Sequence, residues 1–361
     1  MDLHAVAIRK FLGPLWAWRE KSSYLNHHRQ LELTQYDSLQ SIQARQFSRL
    51  RALLAHTYET VPFYRDEWRR IGLHPADIDD FGAFRRVPIL TKADLRAHGQ
   101  EMLSYSYTPT QLIRKKTSGS TGVSLEIFLD EDSRQWKRAC VLRSDQWSGW
   151  RFGEPVAKVW GNPEFRSRGW RGSLRNRLLD REYYLDTLHM DEAALARFVR
   201  LLRKKQPTLI FGHAHSVYLL AQYLKSGVRS QESGVRTSPA ADSRPLAPDS
   251  CFRPKGIITT AMVLHSWQRR TIEKVFGCPV TNRYGCEEVS LIACECERHH
   301  GLHVNADGVF VEILRADDTG ALTHPARPGE PGSVVVTDLT NRAMPIIRYQ
   351  VGDVAVLSDR V

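Results

Sequence analysis

The sequence predicts an α/β protein in which layers of β-sheet and helix are followed by a β-rich subdomain at the C-terminal end. Two patterns predict it. Between residues 123 and 284 short β-type apolar runs alternate with runs of helical period, the order expected of sheet-and-helix layers. From about residue 302 strand-like runs separated by turn residues take over. Composition agrees: among 361 residues, 42% are hydrophobic and 25% charged, which excludes wholesale disorder and fibrous structure.

Residues 1–37 form a basic arm containing Trp16, Trp18 and Tyr24. It reads either as an amphipathic surface helix touching a membrane peripherally or as an arm packed on the body. Residues 38–56 read as a helix because Leu39, Ile42, Phe47, Leu50, Leu53 and Leu54 recur at helical spacing, and Pro62 is expected to stop it. Thr91 is the expected N-cap of a short helix through Leu95. Strand 123–129, helix 132–147, strand 156–160, helix 191–205, strand 208–211 and helix 214–226 follow. Residues 228–255, rich in Ser, Pro, Ala and Gly, read as a flexible surface loop. Strand 256–260, helix 265–276 and a strand ending at Tyr284 come next, then β-segments at 302–314, 333–337 and 346–357.

No apolar run reaches the roughly 18–20 residues that a spanning helix needs. The cluster Phe11–Trp18 contains Pro14 and lacks a small-residue cleavage pattern, so it is not read as a signal peptide. Six cysteines, with one Cys294-x-Cys296 pair, are no disulfide framework, and a reducing cytoplasm is expected. Lys plus Arg is 51 and Asp plus Glu is 40, a formal charge of +11. The local excess at Arg166–Arg181 reads as a solvated face; anionic lipid, nucleic acid or a polyphosphate ligand are the other readings. Without a zinc finger or RNA-recognition signature, no nucleic-acid partner is expected.

Three segments carry chemistry. Thr117-Ser118-Gly119-Ser120-Thr121-Gly122 combines two glycines with four hydroxyls, and such a loop can present N–H and O–H donors to phosphate or be a plain turn. It is not a Walker A loop, because Gly-Lys-Ser/Thr is absent. Asn282-Arg283-Tyr284-Gly285-Cys286-Glu287-Glu288 follows a strand. There an aromatic can stack on a flat ring and a carboxylate can hold Mg²⁺, or the acids are merely solvated. Pro345–Asp353 ends in Gly352-Asp353, where an Asp can accept hydrogen bonds from a ribose diol or simply close a turn.

Together and in this order, the three resemble the motifs of the ANL adenylate-forming superfamily, and the resemblance covers roughly residues 38–361, less the loop 228–255. Within it the sequence is similar to the phenylacetate–CoA ligase and CapK-like branch. Leu50-Arg51, His56, Val61–Arg65 and Val87–Lys92 look like that branch's opening signatures, and Ala293–Cys296 with Gly301-Leu302-His303 looks like its Cys-Glu segment. The resemblance implies the large N-terminal domain of an AMP-forming acid–thiol ligase. A carboxylic acid is activated by ATP and passed to coenzyme A or another acceptor, with a role in polysaccharide (capsule) biosynthesis as one expectation.

It implies that residues 117–122 hold phosphates, with Thr121 and Glu288 in the catalytic machinery. Tyr284, with Gly285 beside it, stacks on adenine, Glu288 binds Mg²⁺, and Asp353 binds ribose hydroxyls. Cys294, Cys296 and His303 are candidate ligands of a structural Zn²⁺. His213 and His215 fall where the acyl pocket is expected, and a homodimer is a candidate assembly. Three departures stand against full activity. The sequence ends at Val361, where the family continues into a small lid domain with a catalytic Lys, so that domain is expected to be absent. Glu287 replaces a hydroxyl residue, and Thr259-Thr260-Ala261-Met262 replaces a Gly-Glu stretch. The alternative is a lid-less nucleotide-binding or scaffold protein.

Overall fold

A computed structural model describes residues 2–116, 125–161, 169–232 and 252–358, with 227–232 as backbone only. In chain order the described strands are β1 (Ile113–Lys116), β2 (Glu126–Leu129), β3 (Val156–Trp160), β4 (Glu182–Asp186), β5 (Leu209–His213), β6 (Gly256–Thr260) and β7 (Val280–Cys286). They continue as β8 (Ser290–Glu295), β9 (Leu302–Val304), β10 (Val309–Ala316), β11 (Leu322–Pro325), β12 (Pro331–Asp338) and β13 (Tyr349–Val356). The chain divides into two compact units. The α/β class expected from the sequence is what the structure shows.

The first unit comprises Met1–Ser22, Leu142–Tyr284 and Cys294–Leu302. Its strands run parallel in the order β4-β3-β5-β6-β7. Parallel strands need helical crossovers, and the sequence supplies them. In helix Glu192–Lys205 the side chains Leu195, Phe198, Val199 and Leu202 are buried at helical spacing. Asp191 caps it by accepting from Ala194 N at 2.7 Å. Helix Ser266–Phe276 ends at Gly277, whose φ of +67° provides the left-handed C-cap. Both helices contribute to one core with Val159, Ile210, Val217, Ile257 and Val280.

The second unit comprises Ser23–Val141, Gly285–Ala293 and His303–Val361. It holds the antiparallel pair β1-β2 and a four-stranded antiparallel sheet in the order β11-β10-β12-β13. Helix Leu39–Thr60 buries Leu50, Leu53 and Leu54, and Gln46 donates to the carbonyls of Ala306 (3.3 Å) and Val309 (2.8 Å). Thr91 caps helix Lys92–His98 in a reciprocal box with Asp94.

Several expectations change. Pro62 does not end helical structure. Val61 closes one helix, and Pro62 opens the next, Pro62–Arg70, at a position where its missing N–H costs nothing. The expected loop 228–255 begins as helix, since Ala214–Glu232 is one element, and its residues 233–251 lie outside the described residues. The segment 302–314 is two strands, split by a turn in which Gly308 N and Val309 N both donate to Asn305 O (2.8 and 3.0 Å). Strands β4, β8 and β11 carry no clear alternation and were not anticipated. Among the described residues no helix is long and apolar enough to cross a membrane.

Candidate active site

In the second unit, the third motif is held by the segments that the sequence offers as opening signatures. Tyr64 Oη donates to Pro345 O (2.9 Å) and accepts from Ile347 N (3.3 Å). Complete burial lifts the Tyr64 phenol far above its ordinary range. Leu90 N donates to Arg348 O and Gln350 N donates to Leu90 O, both at 2.9 Å, so the Val87–Lys92 phrase pairs directly with residues 348–350. Arg348 sits at a φ of +50° and is buried. Its guanidinium forks onto Glu312 (2.8 and 3.0 Å) and donates to the carbonyls of Arg85 (2.7 Å) and Val87 (2.5 Å).

Beyond this anchor β13 bulges. Val335 is opposite Gln350 and Ser333 is opposite Val354, so Val351, Gly352 and Asp353 together face Val334 alone. Gly352 absorbs the distortion with a φ of +97°, and Asp353 is exposed on the bulge. Bulges of this kind redirect side chains beside functional sites.

The second motif is joined to the third by one bond. Glu288 is buried, and its Oε1 accepts from Tyr349 Oη at 3.1 Å. Burial, and then the charge of Glu288, raise the Tyr349 phenol above its usual range. The same two causes push the Cys286 thiol up to about 12. Gly285 is required by packing: a Cβ there would lie 2.3 Å from the carbonyl oxygen of Ser290. Glu287 is exposed, so its extra charge is directed to solvent.

In the first unit, strands β3 and β5 are neighbours whose onward connections leave in opposite directions, to β4 and to β6. Ligands of open parallel sheets bind at the carboxyl ends of such a pair. Those ends carry Trp160 and His213, with ring centroids 3.9 Å apart. Burial holds His213 below the ordinary imidazole range. His215 is exposed. After β6, Ala261 takes a φ of +64°, and Met262 and Val263 are exposed. Tyr284 lies half-buried near the end of β7.

Sequence reasoning missed Glu295. Both oxygens of its carboxylate accept from Arg269 Nη2 (2.7 and 2.9 Å), and it accepts from Asn282 N (2.7 Å), fastening strand β7, which carries Tyr284. The cysteines on either side of Glu295, Cys294 and Cys296, are the ones expected as zinc ligands. Cys294 is buried, and burial raises its thiol even though the Arg283 guanidinium is hydrogen-bonded to it. Arg283 also pairs with Asp145 and donates to Ser144 Oγ (2.8 Å). A guanidinium in that position is a poor companion for Zn²⁺. Cys296 Sγ accepts from Arg298 N (3.4 Å), and His303 is exposed. Among the described residues no three His, Cys, Asp or Glu side chains gather as a metal site. The segment Thr117–Gly122 lies outside the described residues; Lys116 before it is paired in register with Glu126.

The chain is similar to the phenylacetate–coenzyme A ligase of Escherichia coli (strain K12), at 27% identity over 326 residues, 88% of this chain and 67% of the relative. That of Thermus thermophilus matches at 26% over 325 residues, 88% and 66%. Protein CapK of Staphylococcus aureus matches at 24% over 274 residues, 74% and 53%. The chain thus spans about two thirds of the length of these ligases and about half of CapK. An open conformation of 2-hydroxyisobutyryl-CoA ligase, solved with 2-HIB-AMP and CoA, shares the fold with a TM-score of 0.66 at 20% identity, over 86% of this chain and 69% of that one. No protein-family model matches the chain.

Proposed function

We propose that this chain, a relative of the phenylacetate–CoA ligase and CapK-like branch of the ANL adenylate-forming superfamily, activates a carboxylic acid as an acyl-adenylate. A carboxylate oxygen of the acid attacks the α-phosphorus of ATP, the α–β phosphoanhydride bond breaks, and pyrophosphate leaves with the electron pair. The thiol of coenzyme A then attacks the acyl carbon and AMP departs. Such chemistry depends on alignment and charge neutralisation more than on covalent help from the protein.

The observation that carries this reading is the Tyr349–Glu288 hydrogen bond, which joins two of the three motifs inside one unit. Asp353, exposed on its bulge, is assigned to the ribose hydroxyls, and Tyr284 to the adenine ring. Residues 117–122 are assigned to the phosphates. A nucleotide-bound Mg²⁺ needs only one or two carboxylates besides phosphate oxygens and water. Glu288 fits as that carboxylate, with Tyr349 orienting it, and the ion would neutralise phosphate charge. The carboxyl-end crevice beside Trp160 and His213 is assigned to the acid. Its flat rings, with an imidazole whose charged form burial disfavours, favour an aromatic or weakly polar acyl group. The resemblance to the CapK-like group also supports an acid drawn from cell-surface polysaccharide assembly.

Acid-dependent ATP–pyrophosphate exchange tests the proposal, with phenylacetate first and then hydroxylated and aliphatic acids. Exchange with at least one acid is expected. Nucleotide binding without exchange for any acid would overturn it in favour of a nucleotide-binding scaffold.

A further inference from the structure

We infer that the first unit carries a face that seats in the interfacial region of a bilayer containing anionic lipid. The face is built by two helical segments. One runs through Leu3–Ala7, a π-turn at Ile8–Leu12 and Gly13–Arg19. The other runs through Gly169–Arg175 and a π-turn at Asn176–Asp180. They are neighbours: His4 Nε2 donates to Leu178 O at 3.1 Å, and Arg175 pairs with Glu20 at 2.8 Å.

The first segment is packed the wrong way round for a helix whose only task is to cover a core. Its buried residues are small or modest: Ala5, Ile8, Gly13 and Ala17. They allow a close approach, since a Cβ on Gly13 would lie 2.6 Å from the Phe152 ring and one on Gly153 would lie 2.9 Å from Ile8. Three large apolar side chains point to solvent, while Trp16 is half-buried and Ile8 is buried. Phe11, Leu15 and Trp18 are 69%, 61% and 78% exposed, at i, i+4 and i+7. In the second segment Trp170, Leu174 and Leu178 are 72%, 45% and 40% exposed, at i, i+4 and i+8. Scattered exposed leucines need no explanation, but two helical stripes on adjoining segments do.

Charge selects the occupant. Residues 3–19 contain Arg9, Lys10 and Arg19 with no Asp or Glu, and the second segment adds Arg171 and Arg177, while its Arg175 is paired with Glu20 and with its one acid, Asp180. Arg19 lies over the Trp16 ring at 5.6 Å and Arg171 over the Trp170 ring at 5.5 Å. A second copy docked on this face would bring like charges together. Anionic headgroups match it, with tryptophans and guanidinium groups at the headgroup level and Phe and Leu side chains below. Among the described residues no helix is long and apolar enough to cross a membrane, and the exposed stripes on short helical segments suit an interfacial seat.

The test is vesicle flotation of the full chain without ATP, which keeps it separate from the adenylation proposal. Binding to phosphatidylcholine vesicles mixed with phosphatidylglycerol is expected, weaker on phosphatidylcholine alone and weaker as salt rises. Phe11→Ser with Leu15→Ser and Trp18→Ser should reduce partitioning by about tenfold or more. Trp170→Ser with Leu174→Ser, on the other segment, provides a second variant should the first fold poorly. Leu33→Ser with Tyr36→Ser, equally exposed in the second unit, should bind as wild type. Absence of binding, binding indifferent to lipid charge and salt, or unchanged binding by both folded variants would overturn the inference. So would a lipid-free dimer in sedimentation velocity that the same substitutions dissolve, since the occupant would then be a second copy.

Discussion

The phenol of Tyr349 donates to Glu288 Oε1 at 3.1 Å, and both side chains are buried. Two motifs whose contact residues lie 61 positions apart in the chain thus share one polar contact. Tyr349→Phe removes the donor and leaves a buried carboxylate oxygen short of a partner. A hydrogen bond to a charged group contributes about 1.5–3 kcal/mol. Urea unfolding should show a loss of that order, with acid-dependent pyrophosphate exchange falling more steeply than stability. Equal stability and equal exchange would show that the contact positions nothing.

Arg348 is the most heavily engaged side chain of the third motif, bound to Glu312 and to two carbonyls of the 85–87 segment. Arg348→Ala leaves Glu312 buried without its counter-charge, and breaking one side of such a pair costs about 3–5 kcal/mol. Replacing both partners, Arg348→Met with Glu312→Leu, should recover much of that loss. A double variant as unstable as the single would mean that the carbonyl contacts, and not the ion pair, carry the energy.

Asp353 is exposed, so its removal should leave stability nearly unchanged while nucleotide affinity drops by about tenfold or more, about 1.4 kcal/mol or above. Asp359→Ala, at a residue outside the described ones, is the control and should leave affinity alone. Gly352→Ala probes the same bulge through the backbone. No atom lies within 4 Å of the added methyl, yet a φ of +97° is strained for any side chain, at a cost of about 1–2 kcal/mol. Nucleotide affinity should fall with it. Titration calorimetry with ATP reads all three; equal affinities for the Asp353 and Asp359 variants would remove Asp353 from the ribose role.

Much of this arrangement was readable in advance, and the unread parts have physical causes. Helices such as Glu192–Lys205, and strands such as β3 and β6, were visible because one face or a continuous apolar run is buried. Strand β8 was not, because it is buried on both faces, so that no alternation marks it, and its apolar run Leu291–Cys294 is only four residues long between Ser290 and Glu295. The motif residues were recognisable as a set, but their supports were not. Tyr64, Glu295 and Glu312 act through contacts with residues far away in the chain, which periodicity cannot reveal. The bulge at 351–353 was equally hidden: Gly352 signals a turn, and only the register shows three residues facing one.

His213 gives a pH prediction of definite sign. Burial disfavours its charged form, so its folded pKa lies below the unfolded imidazole value, about 6.5. Between the two values the unfolded chain binds more protons than the folded one. Stability therefore rises with pH across that window. Its contribution is present above the unfolded pKa and is lost as pH falls through the folded one. Urea midpoints measured from about pH 8 down to about 5 should decline for the wild type. His213→Phe, which keeps a ring against Trp160 but cannot titrate, should decline less over the same range. If the acid binds beside Trp160 as proposed, the same substitution should also raise KM for that acid and leave KM for ATP unchanged. A parallel pH decline in wild type and variant would show that other groups set the acid sensitivity. A rise in both KM values would place His213 outside the acid crevice.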